Sequence, residues 1–196
     1  MGILKPPKRG GITMKTLTEV TLEPLELNDR EQFIRDNQEA FLYGATQEFG
    51  VRDKHFEEEG QIIARATIEA SLDRPGAEAY RIVLDGEKVG GLVLFIDPAA
   101  QEGELDLLFV SPHAHSRGIG QAAWRAVENL HPEMRAWELV TPYFEKRNIH
   151  FYVNCLGFSI VEFFNDHHLD PNRSSMENGD SGDSDEMFRF RKEMHR

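Results

Sequence analysis

The spacing of apolar residues changes along the chain between a helical period of about 3.6 residues and the two-residue period of an extended strand. We predict strands over seven segments: Thr16–Leu25, Glu78–Leu84, Lys88–Ile96, Gly103–Val110, Ala136–Thr141, Phe158–Asn165 and Glu186–Met194. We predict helices from Asn28 onward, over residues 54–71, over Arg117–Leu130 and from Thr141 to Cys155. This order, β-α-α-β-β-β-α-β-α-β-loop-β, predicts an α+β (mixed α/β) domain: a mostly antiparallel mixed sheet flanked by about four helices.

Turn and cap signals support several of these boundaries. Asn28 with Glu31 three residues later has the form of a capping box, which predicts a helix start at Asn28. The tripeptide Arg74-Pro75-Gly76 predicts the end of the second helix, because proline and glycine are poor helix formers. Asp85-Gly86 between two extended segments predicts a tight β-hairpin.

The fourth predicted strand, Gly103–Val110, carries two carboxylates among apolar residues. Alternation predicts two faces, with Leu105, Leu107 and Phe109 on one and Glu104, Asp106 and Leu108 on the other. Glu104 and Asp106 are therefore expected to be neighbours on one side of the sheet.

The composition is that of a folded, acidic protein. Of 196 residues, 40% are hydrophobic, and 22 basic against 34 acidic side chains give a net charge of −12. The length suits one domain, which we predict over residues 14–196, after a mobile tail at 1–13 and with an acidic loop insertion at 166–184. The negative charge disfavours nucleic-acid binding. It either attracts cations such as amines or serves solubility, and we favour solubility.

Other signals concern the compartment. Residues Met1–Lys15 lack the apolar core of a secretory signal, and the single cysteine, Cys155, excludes an internal disulfide. The longest near-apolar run, Val89–Ile96, is far shorter than the roughly 20 residues that cross a bilayer. No set of cysteine, histidine and carboxylate residues has the spacing of a metal site. We therefore expect a cytoplasmic protein that binds neither a membrane nor a metal.

Two glycines stand at the predicted start of the third helix, in Arg117-Gly118-Ile119-Gly120. Unpaired backbone N–H groups and the positive end of the helix dipole make a helix start a binding site for phosphate. The alternative is that Gly118 and Gly120 only permit close helix–sheet packing. A Walker-type loop is excluded because Gln121 stands where that motif requires lysine. A dinucleotide-binding turn matches the glycine spacing, but it would follow its strand almost at once, and here Ser111–Arg117 intervene.

The stretch from Val110-Ser111-Pro112 to His115-Ser116-Arg117-Gly118-Ile119-Gly120 resembles the acyl-CoA-binding signature of the GNAT N-acetyltransferase superfamily. In that family an Arg/Gln-x-x-Gly-x-Gly/Ala loop after the fourth strand binds the CoA pyrophosphate. A second segment, Asn148 with Phe151-Tyr152 and Leu156-Gly157-Phe158, resembles the family's second signature. The predicted element order is also the family's, so the resemblance covers most of the chain and implies a sheet splayed at strand 4.

The resemblance has two departures. His115 stands where the family usually has arginine or glutamine. The family has four positions from its aromatic hydroxyl to the glycine, whereas Tyr152 to Gly157 is five. Either one residue is inserted and Tyr152 keeps the position, or Val153 takes it and no phenol is present. We favour the insertion because Phe151-Tyr152 keeps its paired aromatic character.

The resemblance implies acetyl transfer from acetyl-CoA directly to a primary amine of a small molecule or peptide. It implies Glu104 as the base that takes the ammonium proton, because histone-type members have a glutamate at that distance before the glycine loop; Asp106 is the alternative. It implies Tyr152 as the acid that protonates the CoA thiolate. The implied CoA-binding residues are Phe109, Val110, His115, Ser116, Arg117, Gly118, Ile119, Gly120, Gln121 and Asn148.

A catalytically silent acyl-CoA-binding sensor or interaction domain is the rival interpretation. It differs from the enzyme in binding CoA without releasing it to an amine. The sequence leaves the acceptor open among polyamines, aminoglycosides, amino acids and protein N-termini. A homodimer is common in the family and is a possible assembly here.

Overall fold

The computed structural model describes residues 19–48, 61–114, 118–143, 145–171 and 186–194. The strands in these ranges are β1 Thr21–Pro24, β2 Ala77–Leu84, β3 Glu87–Asp97, β4 Glu102–Val110, β5 Ala136–Pro142, β6 Ser159–Phe164 and β7 Met187–Glu193. The α-helices are α1 Arg30–Tyr43, α2 Arg65–Asp73, α3 Ile119–Leu130 and α4 Lys146–His150. The predicted element order and mixed α/β class are confirmed.

All seven strands form one sheet, in the order β1-β2-β3-β4-β5-β7-β6. Neighbouring strands are antiparallel except β4 and β5, which run parallel. That parallel pairing joins only Glu102–Glu104 to Ala136–Glu138. Beyond Glu104 the two strands separate, so the sheet is splayed at its fourth strand, as expected.

Helices cover both faces of the sheet. Side chains of α1 and α2 pack on one face in a core that includes Phe33, Ile34, Ile68, Val93 and Phe109. Side chains of α3 pack on the other face in a core that includes Leu94, Ile119, Trp124, Val127 and Trp137. We refer to these as the α1/α2 face and the α3 face. None of the helices in the described ranges has the length and apolar character of a bilayer span.

A β-bulge in β4 changes which side chains share a face. Between Leu105 and Leu107 the register with β3 shifts, so that Asp106 has no residue opposite it. Leu105 therefore packs on the α3 face, while Leu107 joins Phe109 on the α1/α2 face. The predicted grouping of Leu105 with Leu107 and Phe109 was wrong, because one extra residue reverses the alternation.

Three helix starts also differ from the prediction. Asn28 lies in a 3-10 turn, and α1 begins at Arg30 with no side-chain cap, so the capping-box interpretation was wrong. The second helix begins only at Arg65, after an extended residue. Thr141 and Pro142 belong to β5, because they still pair with β7, and α4 begins later at Lys146.

The hairpin at Asp85-Gly86 is confirmed. Both residues have positive φ, 53° and 83°, as in the type I′ turn that joins two twisted strands. Several predicted segments lie outside the described residues: the tail at 1–13, residues 16–18 of the first strand, residues 54–60 of the second helix, and residues 172–184 of the acidic loop.

Candidate active site

The separation of β4 from β5 creates an opening in the sheet. Both strands continue past their last paired residues, β4 to Val110 and β5 to Pro142. The edge of β4 that faces β5 runs through Leu105–Phe109 without pairing to β5. Because backbone N–H and C=O groups require hydrogen-bond partners, such an edge can bind an extended ligand that carries amides.

The two predicted CoA-contacting residues at the end of β4 point to opposite faces. Phe109 is 3% exposed, and its ring meets Phe33 edge-to-face with centroids 5.1 Å apart. Val110 packs partly buried on the α3 face. Phe109 can therefore meet a ligand only through its backbone.

The start of α3 has the geometry of an anion site. Gly118 is the exposed N-cap residue, with φ of 71°, and its carbonyl accepts the Ala122 N–H at 3.0 Å. The N–H groups of Ile119, Gly120 and Gln121 precede the first bond of the helix ladder, so they have no acceptor within the helix. The Ile119 side chain is buried, which leaves its backbone as the group available to a ligand. His115, Ser116 and Arg117, predicted to complete this loop, lie outside the described residues.

Glycine is required at the two positions of the motif for different physical reasons. A Cβ on Gly118 would meet nothing closer than 4.0 Å, so this position requires glycine for its left-handed φ. A Cβ on Gly120 would lie 2.9 Å from the Phe151 ring, so this position requires glycine for close packing. The packing interpretation therefore applies to Gly120, whereas the role of Gly118 in ligand binding stays a prediction. Gln121 also links the start of α3 to the segment after α4, because its amide donates to the Cys155 carbonyl at 3.4 Å.

The segment after α4 is wound more widely than an α-helix. Phe151–Cys155 form a π-helical turn, and the Leu156 N–H donates to the Phe151 carbonyl, five residues earlier, at 3.0 Å. A π turn is how a helix accommodates one inserted residue. Gly157, with φ of 81°, then directs the chain into β6. Asn148, on α4, is half-buried.

Tyr152 lies within the π turn and packs among aromatic rings. Its ring centroid is 5.5 Å from that of Phe151, 5.7 Å from Phe190 and 6.2 Å from Phe158. Burial, followed by the negative charge of Glu145, raises the pKa of the Tyr152 phenol to about 12. The phenol therefore keeps its proton at neutral pH and can donate it.

On the α1/α2 face, Asp106 contacts α2 and Glu104 contacts the residue that follows it. Glu104 accepts a hydrogen bond from Arg74 Nη1 at 3.1 Å, and Asp106 contacts the hydroxyl of the buried Ser71. Burial raises the pKa of both carboxyls. Arg74 lowers both pKa values, and the charges of Asp106 and Glu138 raise that of Glu104 further. Raised carboxyl pKa values beside an opening are typical of functional sites.

Sequence reasoning missed the partners of these carboxylates. Arg74 was interpreted only as part of a helix stop, and Ser71 carried no signal at all. Glu138 lies directly across from Glu104 in the β4–β5 register, which only the sheet order reveals. Among the described residues, no group of three or more histidine, cysteine or carboxylate side chains is placed to hold a metal ion.

The sequence of this chain is similar to those of known proteins. Residues 31–158 match the model of the Acetyltransferase (GNAT) family. The chain is 44% identical over 188 residues to the uncharacterized protein YrkN of Bacillus subtilis (strain 168), covering 92% of this chain and 98% of that protein.

Solved structures share the fold at low sequence identity. The ribosomal-protein-S18-alanine N-acetyltransferase of Escherichia coli matches with a TM-score of 0.60 at 13% identity, covering 90% of this chain and 95% of that one. The spermidine N-acetyltransferase of Vibrio cholerae, in complex with CoA and spermine, matches with a TM-score of 0.59 at 13% identity, covering 89% and 95%.

Proposed function

The chain belongs to the GNAT acetyltransferase family, and on that premise we propose that it transfers the acetyl group of acetyl-CoA to a primary amine of a small molecule or peptide. The observation that carries the proposal is the opening between β4 and β5 beyond Glu104, followed along the chain by the glycine start of α3. A strand edge and a helix start suit the two halves of CoA, which carries amides in its arm and a pyrophosphate beyond it.

In this proposal the pyrophosphate binds at the first N–H groups of α3, from Gly118 to Gln121, where the helix dipole favours negative charge. Arg117 and His115 add positive charge or hydrogen-bond donors there, with Ser116 between them. The pantetheine arm lies along β4 near Phe109 and Val110, and Asn148 reaches the same arm through its amide. Backbone N–H groups of the strand polarise the thioester carbonyl as an oxyanion hole does.

Glu104 acts as the base. A primary ammonium with a pKa near 10 is mostly unreactive at neutral pH, so a carboxylate must remove its proton before the nitrogen can attack. Burial raises the pKa of Glu104, which makes its carboxylate a stronger base than an exposed one. Asp106 is the alternative base two residues further along β4.

Tyr152 acts as the acid. The nitrogen lone pair forms the new N–C bond at the thioester carbonyl, and the C–S bond breaks with its electron pair on sulfur. The phenol of Tyr152 protonates that thiolate, and the proton lost by the acylated nitrogen restores the phenol. With the first proton taken by Glu104, one proton is released in each turnover.

The acceptor is proposed to be cationic. Glu104, Asp106 and Glu138 outnumber the nearby arginines, and the net charge of −12 attracts amines. The names of the two structural neighbours give spermidine and the alanine of ribosomal protein S18 as their acceptors, both of which are amines.

The decisive experiment measures CoA thiol release from acetyl-CoA with spermidine, an aminoglycoside, lysine and an alanine-initiated peptide. Glu104→Gln should lower turnover by roughly 10²- to 10⁴-fold at neutral pH, and by less at pH 9.5, where the amine is already largely neutral. Glu102→Gln, two residues earlier on the same strand, is the matched control. CoA binding with no release for any amine would support the silent sensor instead.

The pyrophosphate site has its own test. Acetyl-CoA at about 100 times its dissociation constant should stabilise the protein by roughly 2.7 kcal/mol, seen as a higher melting temperature. Gly118→Asp should abolish that shift, because it puts a carboxylate where the phosphate binds. Gly118→Asn is the matched neutral control, since asparagine and aspartate both tolerate a left-handed φ. Equal shifts in the two variants would remove the pyrophosphate assignment.

Tyr152→Phe separates the two interpretations of the second signature. If the phenol is the acid, kcat and kcat/KM should fall together, because only an interaction made late in the reaction is lost. If Val153 holds that position, Tyr152→Phe should be kinetically neutral. Tyr152→Ala should in that case destabilise the fold by roughly 3–5 kcal/mol through loss of the packed ring.

A further inference from the structure

Arg74 is fixed in place by the turn that follows α2. The Ala77 N–H donates to the Arg74 carbonyl at 3.0 Å, and Gly76 has φ of 83°. With proline at the second position and a positive-φ glycine at the third, Arg74–Ala77 form a type II turn. The residue before a proline is also restricted to extended backbone, and Arg74 has ψ of 129°. The backbone from which this side chain extends is therefore rigid.

The guanidinium of Arg74 rests on an aromatic ring. Its central carbon lies 3.6 Å from the centroid of the Phe95 ring, and Phe95 is itself buried, at 7% exposure. A planar guanidinium stacks well on an aromatic face, and this contact restricts a side chain that otherwise has many rotamers. Phe95 thus acts as a platform that orients Arg74.

The platform directs Arg74 to Glu104. Phe95 and Glu104 are directly opposite each other in the β3–β4 register, and Arg74 Nη1 lies 3.1 Å from Glu104 Oε2. Glu104 is also the last residue of β4 that pairs with β5. The arginine therefore holds a carboxylate at the point where the sheet opens.

We propose that Arg74, stacked on Phe95, is a positioning residue for acetyl transfer that orients the Glu104 carboxylate and keeps it ionised to receive the acceptor's proton. This inference rests on the proposed role of Glu104 as the base. An isolated, half-exposed ion pair contributes little to stability. If the role of Arg74 were purely structural, replacing it would therefore leave the fold, and with it the reaction, unchanged.

Most of the other charged groups around Glu104 are carboxylates, so a cation is needed beside it to keep it ionised. On its own strand, Asp106 and Glu102 are negative, and Glu138 of β5 lies opposite. Arg191 of β7 is committed to Glu138, Glu102 and Glu193, at 2.6–2.7 Å. Burial and the charges of Asp106 and Glu138 raise the pKa of Glu104, while Arg74 lowers it. Removing Arg74 should therefore raise that pKa further.

The first experiment needs no substrate. The pKa of Glu104 is measured by carbon NMR of labelled glutamate carboxyls, with Glu104→Gln to assign the signal. Arg74→Gln should raise the pKa by about one unit, the low end for loss of an opposite charge, because Arg74 is half-exposed. Arg74→Lys should recover part of the shift. Arg30→Gln is the matched control, since Arg30 pairs with the neighbouring Asp73 and does not contact Glu104. An equal Glu104 pKa in the parent and Arg74→Gln proteins would overturn the proposal.

The second experiment follows kcat/KM against pH, with acetyl-CoA and spermidine as the probe amine. In Arg74→Gln the acidic limb should move to higher pH by the same amount as the NMR pKa. An unmoved limb with a lower KM would mean that Arg74 only competes with the acceptor, and would overturn the positioning role while Glu104 remains the base. If Glu104→Gln leaves turnover intact although the NMR shift is present, the proposed base and this inference both fail.

Discussion

Two arginines lie over phenylalanine rings on the α1/α2 face of the sheet, and their surroundings are opposite. Arg81 has a side chain only 2% exposed, lies 5.2 Å from the Phe33 ring, and pairs with Asp29 at 2.7 Å and Asp36 at 2.8 Å. Arg74 is half-exposed, and its ion-pair partner among the described residues is Glu104.

The pKa values of Asp29 and Glu104 shift in opposite directions. The Arg81 hydrogen bond lowers the pKa of Asp29, burial raises it, and the Lys88 hydrogen bond lowers it again, so that the net pKa lies below its usual value. Around Glu104, burial and neighbouring carboxylates outweigh Arg74, and the pKa rises. In the first cluster two cations share Asp29, so its charge is stabilised. In the second, carboxylates outnumber cations, so the ionised form of Glu104 is destabilised. The first arrangement stabilises the fold, and the second has the raised carboxyl pKa values on which the proposed chemistry depends.

The largest expected effect comes from Arg81→Met. Removing the cation leaves Asp29 and Asp36 in a partly buried site with less compensation, and breaking a buried ion pair costs about 3–5 kcal/mol. Urea unfolding at pH 7 measures this loss. Arg30→Met, which breaks a more exposed pair, should cost less than about 1 kcal/mol. Equal losses in the two variants would erase the distinction between a buried and an exposed cluster.

Asp29→Asn should have a smaller effect that depends on pH. The folded-state pKa of Asp29 lies below its ordinary value of 3.8, so its stabilisation is complete above that value and is lost as the pH falls through the folded-state pKa. We expect a loss of about 1.5–3 kcal/mol at pH 7, as for hydrogen bonds to charged groups, and convergence with the parent in acid. Urea unfolding across this pH range tests it, and a constant difference would contradict the lowered pKa.

Asp106→Asn should show the smallest effect, with the opposite sign. The folded-state pKa of Asp106 lies above 3.8, so ionising it costs stability above the folded-state pKa and costs nothing below 3.8. The variant should melt higher at pH 8, by less than about 4 °C, the shift that 1 kcal/mol produces in a domain of this size. The gain should vanish in acid. Asp73→Asn on the exposed end of α2 is the control, and a lower melting temperature for Asp106→Asn would contradict the raised pKa of Asp106.

The element order and the glycine start of α3 could be predicted because both are local signals. Helical and extended periods are properties of consecutive residues, and Gly118-Ile119-Gly120 is a contiguous motif. The bulge in β4 could not be predicted, because the apolar run Leu107–Val110 is also what a strand covered on both faces contains.

The partners of Glu104 could not be predicted, because they depend on distant segments. Arg74 reaches Glu104 only through the β3–β4 register that puts Phe95 opposite it. Glu138 joins them only because β5 lies beside β4 in the sheet. The buried cluster has the same origin, since Arg81 meets Asp29 and Asp36 across more than forty residues of sequence. Networks of charge pairs between distant segments can be predicted only once the tertiary fold is known.

The π turn at Phe151–Cys155 has a consequence for how such a chain can change over evolution. Adding one residue to an α-helix rotates everything beyond it by about 100°, which would turn Leu156 and Phe158 away from the sheet. Here the π turn compensates for such a rotation within Phe151–Cys155, and both side chains remain buried. Lineages of this fold can therefore gain or lose a residue at this point without rebuilding the strands that follow.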